Sequence, residues 1–222
     1  MSDNKQTGFT IVELLIAITV LNILLVSLLG VFSGYFASLV RSNIETQLTL
    51  ESQQLLSSVT EDLRVAAVVR DTNLIDDPNN GSNWQTDEAT DVLVIATPSL
   101  DGSRSFIIDP LTNRPFLDEI IYFQNSNVFY KRILANPNAT GNRLSTTCPS
   151  AIATSSCPPD TEFTVSFADL SFEFFDVDDA VTTDATLARS IGVDIELLRD
   201  SPIGGDINLL NTSRITLRNQ ES

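Results

Sequence analysis

The hydrophobic positions of this chain follow three patterns in succession. From Leu14 to Val40 they form a nearly unbroken run, with no charged residue between Glu13 and Arg41. At 1.5 Å per residue these 27 positions make a helix of about 40 Å, beyond the roughly 20 residues that a bilayer core requires. From Ile44 onward the apolar residues thin out to one stripe. Ile44, Leu48, Leu55, Val59, Leu63 and Ala66 recur at three-, four- and seven-residue spacings, with Arg41, Glu45, Gln53, Glu61 and Arg64 between them. That is an amphipathic helix that needs a surface to cover. No Pro or Gly lies between Tyr35 and Asp77, so the two patterns predict one continuous helix from Phe9 to Val69, on the order of 90 Å long.

Asp76-Asp77-Pro78-Asn79-Asn80-Gly81-Ser82-Asn83 is a loop by composition. Beyond it the period changes to two. Val92 to Ala96 reads as a buried strand, and Phe106-Ile107-Ile108 as a shorter one. Ile120 to Phe123 and Val128 to Ile133 flank a turn at Gln124-Asn125-Ser126-Asn127 and predict a hairpin. Leu170, Phe172 and Phe174 alternate with polar residues, as do Ile191, Val193, Ile195 and Leu197, and finally Ile215 and Leu217. One long helix followed by several hairpin-linked strands predicts an α+β fold with an antiparallel sheet, one face of it covered by the apolar stripe of the helix. The organisation expected is a membrane-length helix to residue 40, an amphipathic helix over 41–70, and a β-rich domain over 71–222.

Composition narrows the chemistry. Thirteen Lys and Arg against 29 Asp and Glu give a net charge of −16. Such a surface repels nucleic acid and anionic headgroups, and it keeps an exported domain soluble. There is no His. Ser-His-Asp and Cys-His catalysis and His-bound zinc are therefore excluded for this chain alone. Cys148 and Cys157 lie in a Pro/Ser/Thr-rich segment. In an oxidising compartment they would close a small loop, stabilising it by about 2–3 kcal/mol; in the cytosol they would be idle thiols.

Other clusters carry little chemistry. Asp176, Asp178 and Asp179 follow a strand, and clustered carboxylates can hold Ca²⁺, yet the segment lacks the Gly and distal Glu of an EF-hand loop. A solvated acidic turn is the favoured alternative. Gly204-Gly205-Asp206 is a turn, since no Lys-Ser/Thr follows as a phosphate loop requires. No cofactor is implied.

The head of the apolar run is the most specific feature. Glu13 puts a lone carboxylate at the start of a membrane-length helix, where an unpaired ionised group is costly. Ahead of it stands Gly8-Phe9-Thr10-Ile11-Val12. A secretory signal peptide is the first alternative, but its apolar region is usually 7–15 residues. Lys5 is the only base ahead of the run and Asp3 offsets it, so the orientation signal from flanking charge is weak.

Gly8 followed by Phe9-Thr10-x-x-Glu13 and the long apolar helix resembles the processing site of type IV prepilins and type II secretion pseudopilins. The resemblance implies that Met1–Gly8 is a leader, cut after Gly8 by a membrane prepilin peptidase that methylates the new N-terminal Phe9. It implies that the helix is first a bilayer anchor and then the core of a filament. There Glu13 would pair with the Phe9 amine of an adjacent subunit and fix register, the best-attested use of a buried ion pair. The expected partners are the peptidase, other major and minor pilins or pseudopilins, an inner-membrane assembly platform, and the bilayer before assembly. Gly30 stands where many major pilins carry a helix-bending Pro, so this chain departs from their pattern. The size of the post-helix domain, Glu61-Asp62-Leu63-Arg64-Val65-Ala66 and Arg214-Ile215-Thr216-Leu217-Arg218-Asn219 resemble the larger minor pilins, the W-type minor pilins and J-type pseudopilins. The rival expectation is a single-pass anchored receptor or enzyme with a ligand-binding domain. An adhesin-like tip subunit would share the assembly mechanism and differ only in its target.

Overall fold

The computed structural model describes residues 10–78, 80, 83–87, 91–125, 128–146, 161–164 and 166–217. A single helix, α1 (Ile11–Val65), opens the described chain. Its first half is apolar and bare: Leu14, Leu21, Leu28 and Phe32 are all exposed. It is long and apolar enough to cross a membrane. Two hydroxyls in this half return to the helix's own carbonyls, Thr19 to Ile16 and Ser27 to Ile23, each at 2.8 Å. Hydrocarbon offers no other acceptor, so this internal satisfaction suits a lipid setting. In the second half Leu48, Ser52, Leu55, Val59 and Leu63 are buried. Their three- and four-residue spacing is the predicted stripe.

The helix stops four residues earlier than the sequence pattern predicts. Ala66 turns to φ −58°, ψ 135°, and the Ala67 N–H bonds the Ala96 carbonyl at 2.8 Å. Val68, Val69 and Arg70 then form β1 (Val68–Arg70) instead of a last helical turn. The backbone groups that a further turn would have satisfied are satisfied by a sheet edge, and the β-branched Val pair favours that state.

Two antiparallel sheets follow where the alternation pattern predicted one. The first has the order β1-β2-β3-β4-β5, with β2 (Leu93–Pro98), β3 (Leu117–Asn125), β4 (Val128–Leu134) and β5 (Thr161–Thr164). The β3–β4 hairpin closes at Asn125↔Val128, as the turn residues predicted. The second has the order β7-β6-β8-β9, with β6 (Phe167–Phe175), β7 (Val181–Thr182), β8 (Ser190–Asp200) and β9 (Asp206–Thr216). The β8–β9 hairpin closes at Asp200↔Asp206. Its turn needs left-handed backbone at Gly204 (φ +100°) and Gly205 (φ +81°), a region that glycine enters without steric cost. Phe106 and Ile108 make only isolated bridges, to Leu100 and Pro115, so the short strand expected there is instead part of an irregular arm over residues 99–116.

The main core joins all three layers. Leu55, Val59 and Leu63 of α1 meet Leu93, Ile95, Ile120, Tyr122 and Phe129 of the first sheet, and Leu170, Phe172, Ile191, Val193 and Ile195 of the second. Each fully buried aliphatic side chain contributes about 1.5–3 kcal/mol by leaving water. The alternate residues of the first sheet do not face water either. Val92, Val94, Ile121, Phe123 and Leu134 form a second cluster, capped by Ile75, Trp84 and Tyr130. Trp84 packs against Phe123 at a tilt of 38° with ring centroids 4.5 Å apart, and its indole N–H donates to Asp77 at 2.9 Å. Double-sided burial explains why residues 92–96 read as one unbroken apolar run.

Candidate assembly site at the helix terminus

Thr10 is the N-cap of α1, extended at φ −77°, ψ 151°. Its hydroxyl accepts from the Glu13 N–H at 3.3 Å. The Glu13 carboxylate reaches back and accepts the Thr10 backbone N–H and the Thr10 hydroxyl, both at 2.9 Å through Oε2. This reciprocal capping box satisfies two donors that a helix terminus otherwise leaves orphaned. It also sets a negative charge over the positive end of the helix dipole. Glu13 then shares a shallow, nearly apolar groove with Ile16, Ala17, Val20 and Leu21. A carboxylate held at the rim of an oily groove is what an incoming cationic group on an apolar helix would meet.

Further along, polar clamps fix α1 to the domain. Asp62 accepts a hydrogen bond from the buried Tyr122 hydroxyl and is ion-paired with Lys131. Burial, then the Asp62 charge, pushes the Tyr122 hydroxyl well above its usual value. Arg199 of β8 spreads its fork over the upper helix: Nη1 donates to Gln47 and Nη2 to Glu51, each at 2.8 Å, while Nε donates to Ser166 at 3.0 Å. Asn211 of β9 donates to Ser52 at 2.9 Å, which accounts for a Ser within the buried stripe. The first sheet therefore grips α1 near its C-terminal end and the second grips it a few turns earlier.

Of the residues singled out in the sequence, Gly8, Phe9, Cys148 and Cys157 lie outside the described residues. Asp176, Asp178 and Asp179 are described, and they do not converge on a common point. The Asp176 Oδ1 caps its own turn, accepting from the N–H groups of Asp178 at 2.8 Å and Ala180 at 3.0 Å. Asp179 pairs with Arg214, whose guanidinium stacks 3.6 Å over the Phe175 ring. Among the described residues no group of three or more His, Cys, Asp or Glu is arranged to hold a metal ion. The sequence reading placed Thr10 in the Phe9-Thr10-x-x-Glu13 motif without its capping role, although Thr-x-x-Glu ahead of an apolar run is the capping-box signature. It also missed the Arg199 clamp, for which no local signal exists.

Residues 3–29 match the model for the prokaryotic N-terminal methylation motif. The chain thus carries a prepilin-type N-terminal motif. The motif and the apolar helix together fit the type IV pilin and pseudopilin family, in a membrane-anchored form. The motif implies cleavage by a prepilin peptidase and assembly with other pilins. It points to a structural subunit. No curated protein matches the chain.

Proposed function

We propose that this chain is a minor pilin or pseudopilin of the larger, W- or J-like kind, assembled at or near the tip of a type IV pilus or a type II secretion pseudopilus. In this reading the peptidase removes Met1–Gly8 and methylates Phe9. The subunit waits in the inner membrane with residues 9–40 in lipid and its acidic domain on the extracytoplasmic side, where Cys148 and Cys157 oxidise to a disulfide. Assembly then exchanges lipid for neighbouring helices around the apolar half of α1.

Glu13 carries the mechanism. Moving from the membrane interface into a packed filament would strip its carboxylate of water, and an unpaired buried charge is strongly destabilising. The Phe9 amine of an adjacent subunit supplies the cation, and methylation leaves that amine charged. Only one axial offset between subunits brings the two together, so the pair acts as a register device.

The observation behind this reading is one helix whose first half is apolar and bare, headed by a capped carboxylate, while its second half is locked into a two-sheet domain. Intact-mass measurement of the protein extracted from its native membrane tests it. Loss of residues 1–8 with a gain of one methyl group is expected. A full-length, unmethylated N-terminus would overturn it.

A further inference from the structure

Where α1 ends, its last turn, the first sheet, the 99–116 arm and the segment after β4 enclose a cavity of about 620 Å³. That is within the size range of small-ligand sites. Much of its wall is apolar, built from Val65, Pro98, Leu100, Phe106, Ile120 and Ile133. Val65 and Phe106 are left 53% and 60% exposed. Arg104 of the arm and Arg143 of the segment after β4 line the same space.

These two arginines differ from most of the chain's cations. Among the described residues Arg41, Arg70, Lys131, Arg132, Arg199 and Arg214 are ion-paired, and Arg114 and Arg189 have partners of their own. Arg64, Arg104 and Arg143 are left with no side-chain hydrogen bond or ion pair among those residues. A net charge of −16 gives every cation a wealth of carboxylates, yet two of the three free guanidinium groups come to one concavity.

The carboxylates close by are already engaged. Asp62, the acidic residue of the wall, accepts from the Tyr122 hydroxyl and pairs with Lys131. Asp101 turns its Oδ1 to the N–H groups of Ser103 and Ser105, at 2.8 and 2.9 Å. The backbone ties the two arginines into one rim. Asp101 and Asn142 form a bridge, and the Arg143 N–H donates to the Leu100 carbonyl at 2.8 Å. Arg104 itself is left-handed, φ 64°, in a region that L side chains enter at a cost.

We propose that this cavity binds a small organic acid with an apolar body, its carboxylate held between Arg104 and Arg143 and its body lying against Phe106, Leu100 and Val65. A guanidinium presents a planar fork of donors that matches a carboxylate, and here both forks are uncommitted. A bare inorganic anion would leave the apolar wall wet. A neutral apolar molecule would gain nothing from the arginines. The cavity lies at the opposite end of α1 from Glu13, so the proposal stands or falls separately from the pilin reading.

The test uses the full chain in lipid nanodiscs, with 2-naphthoate and its neutral isostere 2-naphthamide as probes and empty nanodiscs subtracted. Equilibrium dialysis should give one saturable naphthoate site, with the amide bound about tenfold more weakly. Arg104→Asn and Arg143→Gln should each weaken naphthoate binding about fivefold and leave the amide unchanged. Asn tolerates left-handed backbone, and both arginines are exposed, so these variants keep the fold. Phe106→Ala should weaken both probes. Arg64→Gln removes a free arginine that does not line the cavity and should change neither. Equal binding of acid and amide would overturn the proposal, as would naphthoate binding unchanged in the Arg104→Asn, Arg143→Gln double variant. An equal loss in Arg64→Gln would reduce the effect to net charge and overturn the site. An acidic apolar peptide that binds tenfold more tightly than naphthoate would overturn the small-ligand assignment.

Discussion

Glu13 folds back onto Thr10, accepting its backbone N–H at 2.9 Å, so the acid proposed to meet a neighbour's amine already has a role within its own chain. The two roles are compatible. The cap uses Oε2, and a carboxylate has a second oxygen and several lone pairs for a cation. Capping also fixes the rotamer that presents the charge, so the side chain need not be ordered at the moment of docking.

Substitutions at these two positions separate the roles. Glu13→Leu should leave membrane insertion intact and abolish incorporation, read as the ratio of subunit in sheared filaments to subunit in membranes. Thr10→Ala should cost the helix terminus about 1 kcal/mol and lower incorporation only modestly. Wild-type incorporation of Glu13→Leu would refute the register mechanism.

Tyr122 makes stability depend on alkaline pH. Its hydroxyl is buried beside Asp62, and its value is raised well above 10 by burial first and the Asp62 charge second. In the unfolded chain it ionises near 10. A raised folded value favours the neutral form, so this contribution is fully present below about pH 10. It is lost as pH climbs from there toward the folded value. Tyr122→Phe should therefore flatten the fall in thermal midpoint above pH 10. Identical alkaline slopes for the two proteins would contradict the assignment.

Asp91 is strained by charge. Burial, then the nearby Asp169 and Asp87 carboxylates, raises its value above the ordinary range. The folded state here disfavours ionisation, so the penalty is absent at acid pH and grows as pH rises past the unfolded value near 4. The backbone at Asp91 is left-handed, φ 55°, a conformation that Asn tolerates. Asp91→Asn should raise the melting temperature at pH 7, by up to about 2–4 °C, and have no effect near pH 3. The reverse pH dependence would refute this account.

The Arg199 clamp should govern how tightly the upper helix stays on the domain. Arg199→Lys keeps the charge but cannot span Gln47, Glu51 and Ser166 together. We expect a loss of about 1 kcal/mol, given that Arg199 and Glu51 are about a quarter to a third exposed. Amide exchange should quicken across residues 44–52 and not across 59–65, where the first sheet's clamp is untouched. Uniform change along the helix would show that Arg199 stabilises the domain as a whole.

Much of the fold was legible because its elements advertise their period. The bare apolar run, the stripe from Leu48 to Leu63, and the alternating residues of β6, β8 and β9 each name one structure and one face. What failed was decided at long range. Val65 to Val69 carries no stop signal, and only pairing with β2 turned Val68 and Val69 into strand. Alternation shows which side chains share a face but not which strands are neighbours, so one sheet was expected and two were found. Phe106 and Ile108 looked like strand and became the wall of an irregular arm. The buried carboxylates of Asp118 and Glu119 sit within β3, where only tertiary donors such as the Asn136 and Leu74 N–H groups make them tolerable. At the assembly site, Gly8, Phe9 and Glu13 were visible as a motif, whereas the domain clamps join helix residues to partners 60 to 159 positions away.

Gly30 and Gly34 lie inside α1 without interrupting it, and no neighbouring atom comes within 4 Å of where a Cβ would stand at either position. The backbone of α1 thus runs as one unbroken helix from its bare apolar half into the half packed on the two sheets. In the pilin reading proposed above, an axial displacement of the apolar end would be carried to the domain along a single helix, with no turn between them.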